Sequence, residues 1–126
     1  MTSLSFNDWG LEKHVADAIG QLGWEEPTQI QAEAVPFARK GMDVVGQART
    51  GSGKTAAFGI PIIESCEPNS STQAIVLCPT RELAVQVAEE FQSLQGKKGL
   101  GIETVYGGTD IEKQARLRDK GVDGLV

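Results

Sequence analysis

The run Ala48-Arg49-Thr50-Gly51-Ser52-Gly53-Lys54-Thr55 has the residue types and spacing of a loop that holds a triphosphate. Gly51 and Gly53 let the backbone turn tightly and aim its N–H groups inward, where a side chain would stand in the way. Lys54 is placed to reach the β- and γ-phosphates, and the Thr55 hydroxyl to take one position on Mg²⁺. Lys54 and Thr55 are therefore the candidate catalytic residues, and Thr55 is the candidate metal contact. The wider pattern of such loops begins with glycine where this chain has Ala48, so the match is to a subclass.

A phosphate loop of this type needs a strand before it and a helix after it. The apolar run 42–45 reads as that strand. Residues 56–64 read as that helix, whose first turn offers free N–H groups beneath an anion. Upstream, Leu11, Val15, Ala18, Ile19 and Leu22 recur at helical spacing, and Gly20 and Gly23 punctuate the end of the stretch. Pro27-Thr28 opens a second helix with Thr28 as its cap; Ile30, Ala34 and Val35 share its apolar side, Pro36 kinks it and Lys40-Gly41 ends it. Downstream, 74–78 is a continuous apolar run of the kind found in parallel strands covered on both faces. A helix over 82–94 would turn Leu83, Val87, Phe91 and Leu94 inward. Residues 102–106 read as a third strand broken by Gly107-Gly108. A polar helix over 110–118 follows, and 122–126 starts a fourth strand. Three strand–helix units and the start of another point to an α/β sheet. Residues 1–41 form a helical N-terminal region and 42–126 the sheet-bearing part.

Length and composition set outer bounds. The 126 residues suffice for one core, and 40% hydrophobic content is ordinary for a soluble globular chain. No apolar run approaches the roughly 18 residues a membrane span requires, and no leader pattern opens the chain, so no membrane and a cytoplasmic location are expected. Cys66 and Cys78 are too few and too far apart for a zinc site or a disulfide framework. His14, the only histidine, falls in the first helical stretch and is assigned a surface or packing role. The net charge of −5 argues against nucleic-acid binding by bulk electrostatics but leaves room for a local patch.

Three further runs fall in register with the phosphate loop, and together they resemble the first RecA-like domain of DEAD-box ATP-dependent RNA helicases. Gly23-Trp24-Glu25-Glu26-Pro27-Thr28-Gln29-Ile30-Gln31 looks like that family's adenine-reading Q motif, with Phe6 as its isolated upstream aromatic. The stretch from Gly46 to Thr55 resembles motif I, with Arg49 where Gln is commoner. Pro79-Thr80-Arg81-Glu82-Leu83-Ala84 resembles motif Ia, and Gly107-Gly108 the double-glycine motif after it. The resemblance implies a truncated α/β fold of the RecA-like P-loop NTPase class, a mostly parallel sheet with helices on both faces. It implies ATP and Mg²⁺ as cofactors. Phe6, Trp24, Pro27, Thr28 and Gln31 are then adenine-side residues, although Trp24 is expected chiefly to pack beneath the segment. Ala48 to Thr55 take the phosphates, and Pro79, Thr80, Arg81, Gly107 and Gly108 take the RNA backbone. The chemistry of the residues agrees. The Gln31 carboxamide offers a donor and an acceptor to adenine N6 and N7, Phe6 a face to stack on the base, and Arg81 a forked cation for a phosphate at the carboxyl edge of a strand.

The family's Asp-Glu-Ala-Asp strand, its Ser-Ala-Thr motif and the second RecA-like domain with its arginine finger do not occur in these residues. The chain is expected to be an N-terminal fragment of a longer helicase, inactive by itself, that completes its site with the second domain of the same full-length protein. Single-stranded or duplex RNA, read with little sequence preference, is the expected partner, and an exposed sheet edge would favour self-association. Two other readings share the phosphate loop. A P-loop DNA helicase would not need Phe6, Pro27-Thr28, Gln31 and 79–84 together, and a non-catalytic ATP- or RNA-binding module would lack the carboxylates even in its full-length gene.

Overall fold

In the computed structural model, residues 5–49, 51, 53–68, 71–105 and 124–125 are described. A short 3₁₀ turn, Phe6–Trp9, is capped by the Ser5 hydroxyl and leads into α1, Lys13–Gln21. The spacing in α1 puts Val15, Ala18 and Ile19 inside, while Leu22, one step past the last turn, is exposed. Thr28 sits in extended conformation ahead of α2, Gln29–Arg39, which buries Gln31, Ala34 and Val35 and contains Pro36. Gly41 follows with φ of 80°, a left-handed conformation that stops the helix with little steric cost. The third helix, α3, spans Lys54–Ser65 and starts directly from Gly53. Thr80 caps α4, Arg81–Gln95, by accepting the Leu83 N–H at 3.1 Å. The inward stripe of α4 includes Val87, Phe91 and Leu94 as the spacing requires, with Ala84 and Ala88 beside them; Leu83 faces outward.

The core lies among the helices. α3 packs on α2 and α4, and α4 also receives α1. Ile60, Ile63, Leu94, Val15 and Val35 are the largest side chains fully withdrawn from water. Each stabilises the fold by about 1.5–3 kcal/mol. Gly59 is what lets α3 and α4 approach: a Cβ there would stand 2.9 Å from Phe91 Cε1 and 3.2 Å from Leu94 Cδ1.

Extended pairing is slight. β1 (Ala74–Ile75), β2 (Ile102–Glu103) and β3 (Gly124–Leu125) are two residues each, and β3 lies parallel between the other two in the order β1-β3-β2. Ala74 and Ile102 both face Gly124, and Ile75 and Glu103 both face Leu125.

This corrects the expected fold class. The described residues form a mostly helical domain, not a RecA-like architecture dominated by a parallel sheet with helices on both faces. The apolar run 42–45 is neither helix nor strand, and 74–78 pairs only at its first two residues. An apolar run becomes a covered strand only when neighbours pair its edges and cover its faces. Here Val45 is fully exposed and Leu77 is 91% exposed. The expected helix over 110–118, the Gly107-Gly108 turn, Thr50, Ser52 and the ends of the third and fourth strands lie outside the described residues.

Candidate functional site

The site is built where the start of α2 meets the start of α3. Gly51 and Gly53 have φ of 81° and 86°, conformations that L side chains rarely adopt. Gly53 then ends its own loop by capping α3 with no side-chain bond, so the first N–H groups of that helix have no capping partner from the cap residue. Lys54 is exposed at this terminus and Thr55 is half-buried beside it. Ala48 is half-buried and Arg49 exposed on the approach to the loop.

Gln31 joins the two segments. Its Oε1 accepts the Thr28 N–H at 3.0 Å, and its Nε2 donates to the Gly53 carbonyl at 3.2 Å. The same carbonyl accepts the Ala57 N–H at 3.2 Å, the first intrahelical bond of α3, so both of its lone pairs are engaged. The fit is tight. A Cβ on Gly53 would lie 3.0 Å from Thr28 Oγ1 and would run into Gln31 Nε2. Gln31 is 3% exposed.

Beside this junction a cleft of about 540 Å³ is lined by Thr28, Gln29, Ile30, Glu33, Gln47, Ala48 and Arg49. It brings together the segment read as base-binding and the start of the phosphate loop. Phe6 lies elsewhere. It is 4% exposed, with Trp9 edge-on at 5.5 Å and Trp24 tilted at 6.2 Å, and it belongs to the core cluster. Trp24 and Pro27 are half-buried. Pro79, Thr80 and Arg81 are exposed at the start of α4, apart from the cleft lining.

The residues present suit phosphate: a glycine cradle that a Cβ would fill, an uncapped helix start and a lysine beside it. For Mg²⁺ the fit is limited to one hydroxyl, Thr55. Among the described residues no group of three or more His, Cys, Asp or Glu could hold a metal ion.

Sequence reasoning missed two things here. Gln31 stands three residues after the cap Thr28, the Ser/Thr-x-x-Glu/Gln pattern whose side chain returns to the cap N–H, so half of its role was visible as a capping signature. Gln47 and Glu33 line the cleft as well. Gln47 lies inside the motif run, while Glu33 is held by Gln29 Nε2 at 3.3 Å, an i to i+4 contact on the exposed face of α2.

The sequence model of DEAD/DEAH box helicases matches residues 28–126. The chain belongs to this family. It is 49% identical over 117 residues to the DEAD-box ATP-dependent RNA helicase CshA of Geobacillus kaustophilus, covering 92% of this chain and 25% of that protein. It is 43% identical over 122 residues to the RNA helicase CrhR of Synechocystis sp., covering 97% and 25%. The crystal structure of a DEAD box protein from the hyperthermophile Methanococcus jannaschii matches with a TM-score of 0.93 at 43% identity, over 99% of this chain and 35% of that one. A hypothetical ATP-dependent RNA helicase from Sulfolobus tokodaii matches with a TM-score of 0.82 at 34% identity, over 92% and 33%. The chain thus spans about a quarter of the length of these curated relatives. Among the described residues of this DEAD/DEAH box family chain, no helix is long and apolar enough to cross a membrane.

Proposed function

We propose that this chain carries the ATP-binding half-site of an ATP-dependent RNA helicase. ATP is held by Ala48 to Thr55, with Lys54 on the β- and γ-phosphates, and its adenine is read by Gln31 from the cleft beside Thr28. Mg²⁺, when bound with the nucleotide, neutralises phosphate charge, and Thr55 is the residue that would hold it. The observation that carries the reading is the bond from Gln31 to Gly53, which makes the base reader and the phosphate loop one unit. A carboxamide has two lone pairs and two N–H groups; Thr28 and Gly53 engage one of each. The remaining pair matches adenine N6–H and N7. Gln31 is almost fully buried, so a base reaches that edge as the cleft beside Thr28 opens, while the bond to Gly53 holds the carboxamide in place. Base recognition is thereby coupled to phosphate-loop geometry. RNA is the proposed substrate at the start of α4: Thr80 accepts the Leu83 N–H, which leaves its own hydroxyl proton for a phosphate oxygen. The RNA helicase names of the relatives support this choice of nucleic acid.

Calorimetric titration tests the reading. ADP should bind more tightly than GDP, Gln31→Ala should remove most of that difference, and Lys54→Ala should cost both ligands about 2–5 kcal/mol where the bound phosphates desolvate and hydrogen-bond its ammonium. Equal affinity for ADP and GDP in the unaltered chain would overturn the adenine assignment. With single-stranded RNA added, phosphate release from the chain alone should match that of a Lys54→Ala control. RNA-stimulated release that depends on Lys54 would mean that the catalytic carboxylates are supplied some other way, and would overturn the expectation that this chain alone is inactive.

A further inference from the structure

The helices α2 and α3, whose starts meet at Gln31 and Gly53, also meet at their far ends. Arg39, the last residue of α2, donates from Nε to Glu64 Oε1 at 2.8 Å and from Nη2 to Glu64 Oε2 at 3.3 Å. Glu64 stands in the last turn of α3. The two helices therefore run in the same direction, joined at their starts by Gln31 and Gly53 and at their ends by a two-point guanidinium–carboxylate pair. Fork-to-carboxylate pairing fixes orientation as well as distance. The pair is partly withdrawn from water, with side-chain exposure of 29% and 13%.

Around it the chain is tied on every side. Arg39 Nη1 donates to the Trp9 carbonyl at 2.6 Å and Nη2 to the Gly10 carbonyl at 3.4 Å, which anchors the turn bearing Phe6. Glu64 Oε2 accepts the Glu12 N–H at 3.0 Å. Lys98, with a side chain 4% exposed, donates to Glu12 Oε2 at 2.6 Å and to the carbonyls of Ile63 at 2.6 Å and Glu64 at 3.3 Å. One cluster thus ties the Phe6 turn to the Gln31 helix and the Gly53 helix, the two helices assigned to nucleotide recognition.

We propose that Arg39 and Glu64 are positioning residues for the nucleotide site, setting the rotation of α2 against α3 so that the Gln31 carboxamide stays over Gly53. At 1.5 Å per residue, the pair acts from about 12 Å along α2 and about 16 Å along α3. The proposal rests on the adenine reading above. It separates two contributions to binding: phosphate contacts belong to the loop and the start of α3, whereas base recognition needs α2 held in register with α3.

The test compares ADP, GDP and pyrophosphate binding in the full chain, with helical circular dichroism recorded for each variant. Arg39→Met should lower the ADP-to-GDP affinity ratio about three- to tenfold, within the range of coupling through contiguous networks, and leave pyrophosphate affinity unchanged. Arg39→Lys, which keeps the charge but not the fork, should fall between. Should Arg39→Met lose its helical signal, Glu64→Gln and Arg39→Lys decide the matter, and full retention of the ratio in both would overturn the proposal. Equal losses for ADP and pyrophosphate would also overturn it, since they mark general loosening of the fold. If Gln31→Ala lowers the ratio and Arg39→Met does not, only the positioning role falls. If Gln31→Ala leaves the ratio unchanged, the adenine reading fails and the positioning role falls with it.

Discussion

At the scale of single residues, Gly53 has no room for a side chain. Its φ of 86° and its contact with Gln31 act together, whereas Gly51, at φ 81°, has nothing within 4 Å of where a Cβ would sit. Left-handed backbone alone costs a non-glycine residue about 1–2 kcal/mol. Gly51→Ala should lose about that much stability in urea unfolding. Gly53→Ala should lose more and should also lose ADP affinity, because its methyl displaces the Gln31 amide. Equal losses in the two variants would show that the contact contributes nothing. The left-handed turns at Gly51 and Gly53 were legible from spacing, since a tight glycine loop is a local device. The bond from Gln31 to Gly53 was not, because it joins residues 22 positions apart and depends on how two helices approach. Phe6 shows the same limit: an aromatic can be read as a stacking face, but only the packing places it against Trp9 and Trp24.

At the scale of elements, the described helices were readable nearly to their ends. The strand runs 74–78, 102–106 and 122–126 were readable in place but not in extent, each showing a paired stretch of two residues. The 3.6-residue stripe that buries Val15 and Ile19 in α1, or Phe91 and Leu94 in α4, is written within one segment. A strand depends on partners elsewhere, so runs 42–45 and 74–78 carried the right residue types and little or none of the ladder. The cluster at the helix ends had no local signature, and its behaviour gives a pH prediction. Burial opposes the charged form of Glu12, but the hydrogen bonds and charges of Lys98 and His14 outweigh it and hold the carboxyl below its usual range. A carboxyl depressed in the folded state contributes stability above its unfolded pKa, about 4.3, and loses that contribution as pH falls through the folded value. Urea midpoints should therefore drop more steeply in the unaltered chain than in Glu12→Gln as pH is lowered from 5 to 3. Parallel curves would show that Glu12 is not one of the groups responsible for acid loss.

At the scale of the whole molecule, the balance of covered and uncovered apolar surface is uneven. The helical core is closed, yet Val45, Leu77, Ile75, Met42 and Phe37 are all exposed. Exposed apolar surface of this kind favours association. Sedimentation velocity should show concentration-dependent self-association that Leu77→Lys weakens. A chain that stays monomeric throughout, or an effect absent from Leu77→Lys, would rule out these residues as the contact. The family was legible because its motifs are short and ordered along the chain. The extent of the sheet was not legible, because it is decided by pairing between distant segments.

The shared direction of α2 and α3 has an electrostatic cost and a use. Every peptide unit in a helix contributes a dipole along the axis, and two such moments lying side by side and pointing the same way repel. At the negative end of α3, Lys98 sets its ammonium against the Ile63 and Glu64 carbonyls, within a cluster where Glu12 pairs Lys98 and Glu64 pairs Arg39. The two positive ends converge on Thr28 and Gly53, where the cap residues are neutral. The resting fold is thus an unneutralised pair of poles, and its residual repulsion is relieved by any multivalent anion that settles between them. At matched ionic strength, sulfate or pyrophosphate should raise the melting temperature more than chloride does, and the difference should shrink when Lys54 is replaced by Ala.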